Sequence, residues 1–304
     1  MPYYVMPDGE KLFVREIGQG EPVLILSGLG MQSWQWLPFI GTHLKQFKFI
    51  IPDWRGFGGS KQCQIPQELD AISSHWQDIQ ELIKQLRLDQ VLVIAYSMGA
   101  TTAMHGMQYG EFGSKIKAYL HIDQTPKIPS DETWVYGLMG TQHPKFKALL
   151  AQISELLDAN GKLKYIHQLP KDQKNKLIEL WLSFVSLQSL QQQASKTMRL
   201  AFKIPFLQDA LLPIQRLDYL NWYIKNYLYH DEDYRLAIAG LQAPATFFIG
   251  EQSTLYPAAG QIKIADSVLN SNKVIFKRSG HTPLISEPIK FTREISKFLK
   301  AYAL

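Results

Sequence analysis

The chain reads as an α/β protein, a doubly wound and mostly parallel sheet with an inserted helical cap. Three observations predict this. Six short segments are continuous apolar runs rather than alternating ones, as expected of strands covered on both faces. Helical patterns with a period near 3.6 fall between several of them. The strand–helix rhythm then stops between about residues 124 and 243, a stretch too long to be a loop.

The elements follow in order. Asp8-Gly9 lies between two alternating segments, 3–6 and 11–17, and predicts a hairpin with a two-residue turn. Apolar runs at 23–26 and 47–51 predict buried strands. Residues 72–86 carry Ile72, Trp76, Ile79, Leu82, Ile83 and Leu86 at helical spacing. A strand at 91–94, a helix at 101–109 and a strand at 118–122 come next. The interruption contains helical patterns at 145–157, 173–190 and 211–229 and no clear strand. Strands at 245–249 and 273–276 resume the sheet. A helix over 288–299, with Phe291, Ile295, Phe298 and Leu299 on one stripe, closes the chain. Residues 1–123 and 244–304 are therefore expected to form the core, and 124–243 the cap. No internal repeat is present.

Composition narrows the function classes. The 304 residues are 46% hydrophobic and 19% charged, enough to fill a sizeable core. The net charge of +5 is scattered in singles and pairs, such as Lys277-Arg278, so no nucleic-acid partner is expected. Cys63 is the only cysteine and excludes an intrachain disulfide; its polar surroundings read as a loop. The N-terminus lacks the basic and apolar regions of a signal peptide. No run approaches the about 18 apolar residues of a membrane span. A cytoplasmic protein without stable membrane insertion is expected. The eight histidines form no metal-ligand spacing, and neither a metal nor a cofactor is expected.

Four motifs carry the chemistry. The strand 91–94 runs directly into Ala95-Tyr96-Ser97-Met98-Gly99 and then a helix. A serine on so sharp a turn needs small neighbours, and the helix start sets backbone N–H groups beside its hydroxyl. The strand 23–26 ends in Ser27-Gly28-Leu29-Gly30. The next strand leads into Asp53-Trp54-Arg55-Gly56-Phe57-Gly58-Gly59-Ser60. The last apolar run is followed by Ser279-Gly280-His281-Thr282-Pro283, and imidazole suits a general base near neutral pH. Of the other histidines, His43 and His75 read as helix-surface residues. His105 sits on the helix after Ser97, and His121 reads as packed within a strand.

In kind and order these four motifs resemble those of the α/β-hydrolase superfamily, over nearly the whole chain outside the cap. Ala95 replaces the first glycine of the Gly-x-Ser-x-Gly elbow, and Ser27 replaces the histidine of the first loop. The resemblance implies that Ser97 is the nucleophile and His281 its base. It implies that the backbone amides of Leu29 and Met98 form the oxyanion hole. It gives the Asp53–Arg55 loop a structural role.

The third triad member departs from the commonest family pattern. Where an aspartate follows the strand 245–249 in that pattern, this chain has Ser253. Asp123, at the end of the strand 118–122, is the first choice for the acid that orients His281. Glu251 is the second, and the absence of a working acid is the third. The alternative for Asp123 is a helix-capping or loop-anchoring aspartate in the turn Asp123-Gln124-Thr125-Pro126.

The cap is rich in aromatics: Trp134, Tyr136, Trp181, Phe184, Phe202, Phe206, Tyr219, Trp222, Tyr223 and Tyr227. With Trp34 and Trp36 they are expected to favour an apolar substrate, Trp34, Trp134 and Trp181 being the named candidates for contact. Each taken singly is better explained as cap core. The expected function is hydrolysis of a carboxylic ester, or a related acyl bond, of a small, largely apolar molecule through an acyl-enzyme on Ser97. The rivals are a cofactor-free oxygenase or perhydrolase-type haloperoxidase on the same fold, and a non-catalytic ligand receptor. The oligomeric state stays open, a homodimer included.

Overall fold

The computed structural model describes residues 2–66, 68–188 and 214–303. Its centre is an eight-stranded sheet: β1 (Tyr3–Val5), β2 (Lys11–Gly18), β3 (Glu21–Leu26), β4 (Phe47–Pro52), β5 (Val91–Tyr96), β6 (Ile116–Ile122), β7 (Ala245–Gly250) and β8 (Ser271–Phe276). The spatial order is β1-β2-β4-β3-β5-β6-β7-β8. β1–β2 and β2–β4 pair antiparallel, and every later pair is parallel. All six residues of β5 and of β7 are buried, the signature of strands covered on both faces.

Alternate side chains of β5 enter two separate cores. Val91, Val93 and Ala95 join the cluster that includes Ile72, Trp76, Ile79 and Leu82 of helix α1 (Ala71–Leu86). Leu92, Ile94 and Tyr96 join the opposite cluster, with Phe291, Ile295, Phe298 and Leu299 of the closing helix. Burying each large apolar side chain contributes roughly 1.5–3 kcal/mol. The Asp70 carboxylate caps α1 by accepting from the Ile72 and Ser73 amides at 2.9 and 3.0 Å. Helix α2 (Met98–Tyr109) starts directly at the end of β5.

Between β6 and β7 the longer helices are α3 (His143–Ala159), α4 (Lys171–Gln188) and α5 (Leu217–Tyr229), with α3 packed against both others. Only isolated bridges occur in this interval among the described residues, one of them joining Tyr165 to Arg216. That bridge holds Arg216 extended, so α5 begins at Leu217 rather than within 214–216. Residues 211–213, Leu190, Phe202 and Phe206 lie outside the described residues. Helix α6 (Ala258–Ser267) joins β7 to β8, and α7 (Pro288–Tyr302) closes the fold. Sequence periodicity missed α6 because Ala258, Ala259 and Gly260 offer no apolar stripe. Among the described residues, no helix is long and apolar enough to cross a membrane.

Two local expectations are corrected. The first hairpin does not turn on two residues. Met6 N–H donates to Glu10 O at 2.8 Å and Gly9 N–H to Met6 O at 2.9 Å, which leaves Pro7-Asp8-Gly9 as the loop. Gly9 takes φ +86°, the left-handed position of a three-residue turn. His43 and His75 are buried, not on helix surfaces. His75 lies one turn after Ile72 on the core stripe of α1, its ring 4.5 Å from that of Trp54 and its Nε2 2.9 Å from Tyr223 Oη. Cys63 is buried too, and burial pushes its thiol up to about 11.

Desolvation pushes His75 down to about 3 and His121 down to about 4. An unfolded histidine protonates near 6.5, so below that pH the unfolded chain binds more protons than the fold. The stability these neutral rings contribute is fully present above about pH 6.5 and is lost as the pH falls, down to about 4 for His121 and about 3 for His75. Each ring accounts for up to about 1.4 kcal/mol per pH unit. Urea unfolding at pH 7.5, 5.5 and 4.5 should show this decline, and His75→Phe should make it shallower. An unchanged slope in that variant would exonerate His75.

Candidate active site

Three side chains from distant parts of the sequence meet in one hydrogen-bonded row. Ser97 sits in the turn between β5 and α2, with φ 51° and ψ −122°. That strained backbone costs roughly 1–3 kcal/mol and aims the hydroxyl out of the sheet. Ser97 N–H still donates to Ile122 O at 3.0 Å, so the turn is pinned to the end of β6. Asp123 follows β6, with φ 41°, and its N–H donates to Phe248 O of β7 at 2.9 Å. His281 follows β8. Its Nε2 stands 2.9 Å from Ser97 Oγ and its Nδ1 2.7 Å from Asp123 Oδ2. The row is satisfied by the tautomer with the proton on Nδ1, leaving Nε2 to accept from the serine hydroxyl.

The glycine of the elbow is required by packing. A Cβ at Gly99 would overlap the Leu26 carbonyl oxygen, so α2 and the end of β3 touch backbone to backbone. At Ala95 a methyl group is accommodated and fully buried. Met98 is the first residue of α2, and its amide has no preceding helical turn to accept it. Leu29, over a third exposed, borders the same cavity as Ser97.

The imidazole is held from several sides. Tyr96 stacks on it at 5.3 Å and 27°, and its hydroxyl donates to His281 O at 3.0 Å. Tyr256 meets it edge-on at 5.3 Å and 68°. Glu287 Oε1 anchors the preceding turn by accepting from Arg278 N–H and Ser279 Oγ, both at 2.9 Å. Glu251 is exposed and takes no part in the row.

Asp123 is wholly buried. Besides His281 it accepts from Gly250 N–H at 3.0 Å, Gln261 Nε2 at 2.9 Å and Ser253 Oγ at 2.8 Å. The sequence alone does not mark Ser253 or Gln261 as site residues: position 253 reads only as a missing carboxylate, and no local pattern marks Gln261.

The Asp53–Arg55 loop is structural in its contacts. Asp53 accepts from the Ser33 and Gly59 amides at 2.6 and 2.9 Å. Arg55 grips Asp78 with two hydrogen bonds of 2.8 and 2.7 Å and also reaches Asp8.

A cavity of about 360 Å³ opens over Ser97 and His281. From the interval between β6 and β7 it is lined by Phe146, Leu150, Ile153, Trp181, Phe184 and Tyr227, among others. No Lys, Arg, Asp or Glu borders it among the described residues. Of the three tryptophans named as contact candidates, Trp181 borders this cavity and Trp34 and Trp134 do not. Trp34 is 53% exposed and folds back onto Gln32, donating to its Oε1 at 3.1 Å. Trp134 is buried elsewhere, donating to Thr125 Oγ1 at 3.0 Å and packing on Tyr136. Trp36 is buried against Phe39 and Phe291. A wider groove of about 950 Å³ runs along α1 near Trp76 and Arg87, and none of the row borders it. Among the described residues, no three His, Cys, Asp or Glu side chains are grouped to hold a metal ion.

Comparison with known proteins agrees with this architecture. A family model described as alpha/beta hydrolase fold matches residues 21–288. The AB hydrolase superfamily protein YisY of Bacillus subtilis is 23% identical over 297 residues, covering 94% of each chain. A pimeloyl-[acyl-carrier protein] methyl ester esterase of Legionella pneumophila is 22% identical over 286 residues, covering 93% of this chain and 97% of that protein. Among solved structures, the esterase EaEST from Exiguobacterium antarcticum superposes with a TM-score of 0.68 at 19% identity, covering 98% of this chain and 99% of that one.

Proposed function

Since the chain belongs to the alpha/beta hydrolase fold family, we propose that it is a serine esterase that cleaves carboxylic esters of small, largely apolar molecules through an acyl-enzyme on Ser97. The observation that carries this reading is the row Ser97 Oγ–His281 Nε2, His281 Nδ1–Asp123 Oδ2, at 2.9 and 2.7 Å. Its similarity to proteins named as esterases supports an ester as substrate.

In this mechanism Ser97 Oγ attacks the ester carbonyl carbon while its proton passes to His281 Nε2. Asp123 holds the imidazole in the Nδ1–H tautomer and stabilises the imidazolium. The carbonyl oxygen, now carrying the negative charge, lies against the Leu29 and Met98 amides. As the tetrahedral intermediate collapses, the C–O bond to the leaving alcohol breaks and Nε2 returns the proton to that oxygen. Water attacks the acyl-enzyme by the same route in reverse roles, freeing the acid and Ser97. Neither a cofactor nor a metal takes part in these steps.

Residues 124–243 act as the cap in this scheme, and residues 1–123 with 244–304 as the core that carries the row. The apolar cavity between them takes the uncharged part of the substrate. Trp181 contributes to that contact.

The test is covalent labelling. A fluorophosphonate probe should modify Ser97 alone, as read by peptide mass spectrometry, and the labelled protein should no longer turn over short nitrophenyl esters. Failure to label, with the fold intact, would mean that the hydroxyl is not activated and would end the esterase reading.

A further inference from the structure

Three of the four hydrogen bonds that Asp123 accepts have no part in the acyl-transfer scheme. Each carboxylate oxygen accepts two hydrogen bonds. Oδ1 takes those of Gly250 N–H and Gln261 Nε2, and Oδ2 those of His281 Nδ1 and Ser253 Oγ. Ser253 thus shares with the imidazole the one oxygen that orients it. Ser253 Oγ also accepts from Tyr256 N–H at 3.3 Å, and Gln261 Nε2 also donates to Tyr256 O at 2.9 Å. The loop after β7 is wrapped around the buried carboxylate.

We infer that Ser253 is a positioning residue that acts through Asp123 on His281, fixing the carboxylate's rotation and tempering its pull on the imidazolium. The inference rests on the triad reading above. Hydrogen bonds to ionised groups are among the strongest in proteins. One placed 2.8 Å from Oδ2 draws negative charge away from the oxygen that faces His281. Without it, Asp123 would rotate more freely and stabilise the imidazolium more. The other titratable groups near the ring do not supply this effect. Tyr96 from β5 and Tyr256 from the loop after β7 are kept neutral by burial. His121 of β6, which senses Asp123, is kept neutral in the same way. Among the described residues, Asp123 is the carboxyl group in contact with the ring.

The experiment compares wild type, Ser253→Ala and Ser253→Thr. In Ser253→Ala, kcat should fall about tenfold with KM unchanged. The acid limb of the kcat/KM profile should move up by roughly half a pH unit. Ser253→Thr, which keeps the hydroxyl, should restore both. A purely structural role for Ser253 would lower the melting temperature without moving the acid limb. The His281 ring is also titrated by NMR in protein without substrate, where its curve should move to higher pH in Ser253→Ala. An ester-active wild type with an unmoved acid limb in Ser253→Ala overturns the inference and leaves the esterase reading standing. A wild type without ester turnover overturns the esterase reading, and the NMR curve then decides the inference: moved up supports it, unmoved overturns it.

Discussion

Ser97→Ala is expected to remove ester turnover, lowering kcat on the order of 10⁶-fold, about 8 kcal/mol of barrier. Alanine keeps the elbow's backbone and loses only Oγ, the atom 2.9 Å from His281 Nε2. Among the described residues no other hydroxyl is hydrogen-bonded to His281 Nε2, so the remaining rate should be that of bound ester attacked by water. The side chain is nearly buried and makes no helix-cap hydrogen bond, so the fold should survive. Circular dichroism and the melting temperature serve as the control. Turnover equal to wild type in a folded variant would strike Ser97 from the mechanism.

Asp123→Asn is expected to lower kcat about 10⁴-fold with little change in KM. The substitution preserves shape and reverses hydrogen-bond sense. Among the described residues Asp123 meets only donors: the Gly250 amide, Gln261 Nε2, Ser253 Oγ and His281 Nδ1. An asparagine offers one oxygen and one NH₂ group to these four. If its oxygen faces His281, its NH₂ confronts the Gly250 and Gln261 donors. If its NH₂ faces His281, the imidazole shifts its proton to Nε2 and cannot accept from Ser97. Glu251→Gln is the companion variant and should stay within twofold of wild type, because Glu251 is exposed. A large loss in Glu251→Gln together with an active Asp123→Asn would exchange the two roles.

The architecture was legible because strands buried on both faces announce themselves as unbroken apolar runs. Ser97 and His281 were legible because each lies in a short, glycine-flanked turn just after such a run. Asp123 was harder, since its signal is only a carboxylate at a strand end, and a capping or anchoring aspartate looks the same. What escaped were relations across long distances. Ser253 donates to a carboxylate 130 positions away, so its hydroxyl reads as a defect rather than a contact. His75 reads as a polar surface residue until Trp54 and Tyr223 are seen to enclose it. The aromatics show the same limit in both directions. Trp181 borders the cavity, while Trp34 and Trp134, equally prominent in the sequence, spend their indole N–H groups on nearby partners.

Gly99 carries one more consequence. Because α2 rests directly on the Leu26 carbonyl, nothing compressible lies between the helix that begins at Met98 and the strand that leads to Leu29. The clearance between those two amides is thus machined into the core, far from either loop's own softness. Even one added methyl group at position 99 would act as a shim, forcing the helix off the strand and carrying Met98 and the adjoining Ser97 with it.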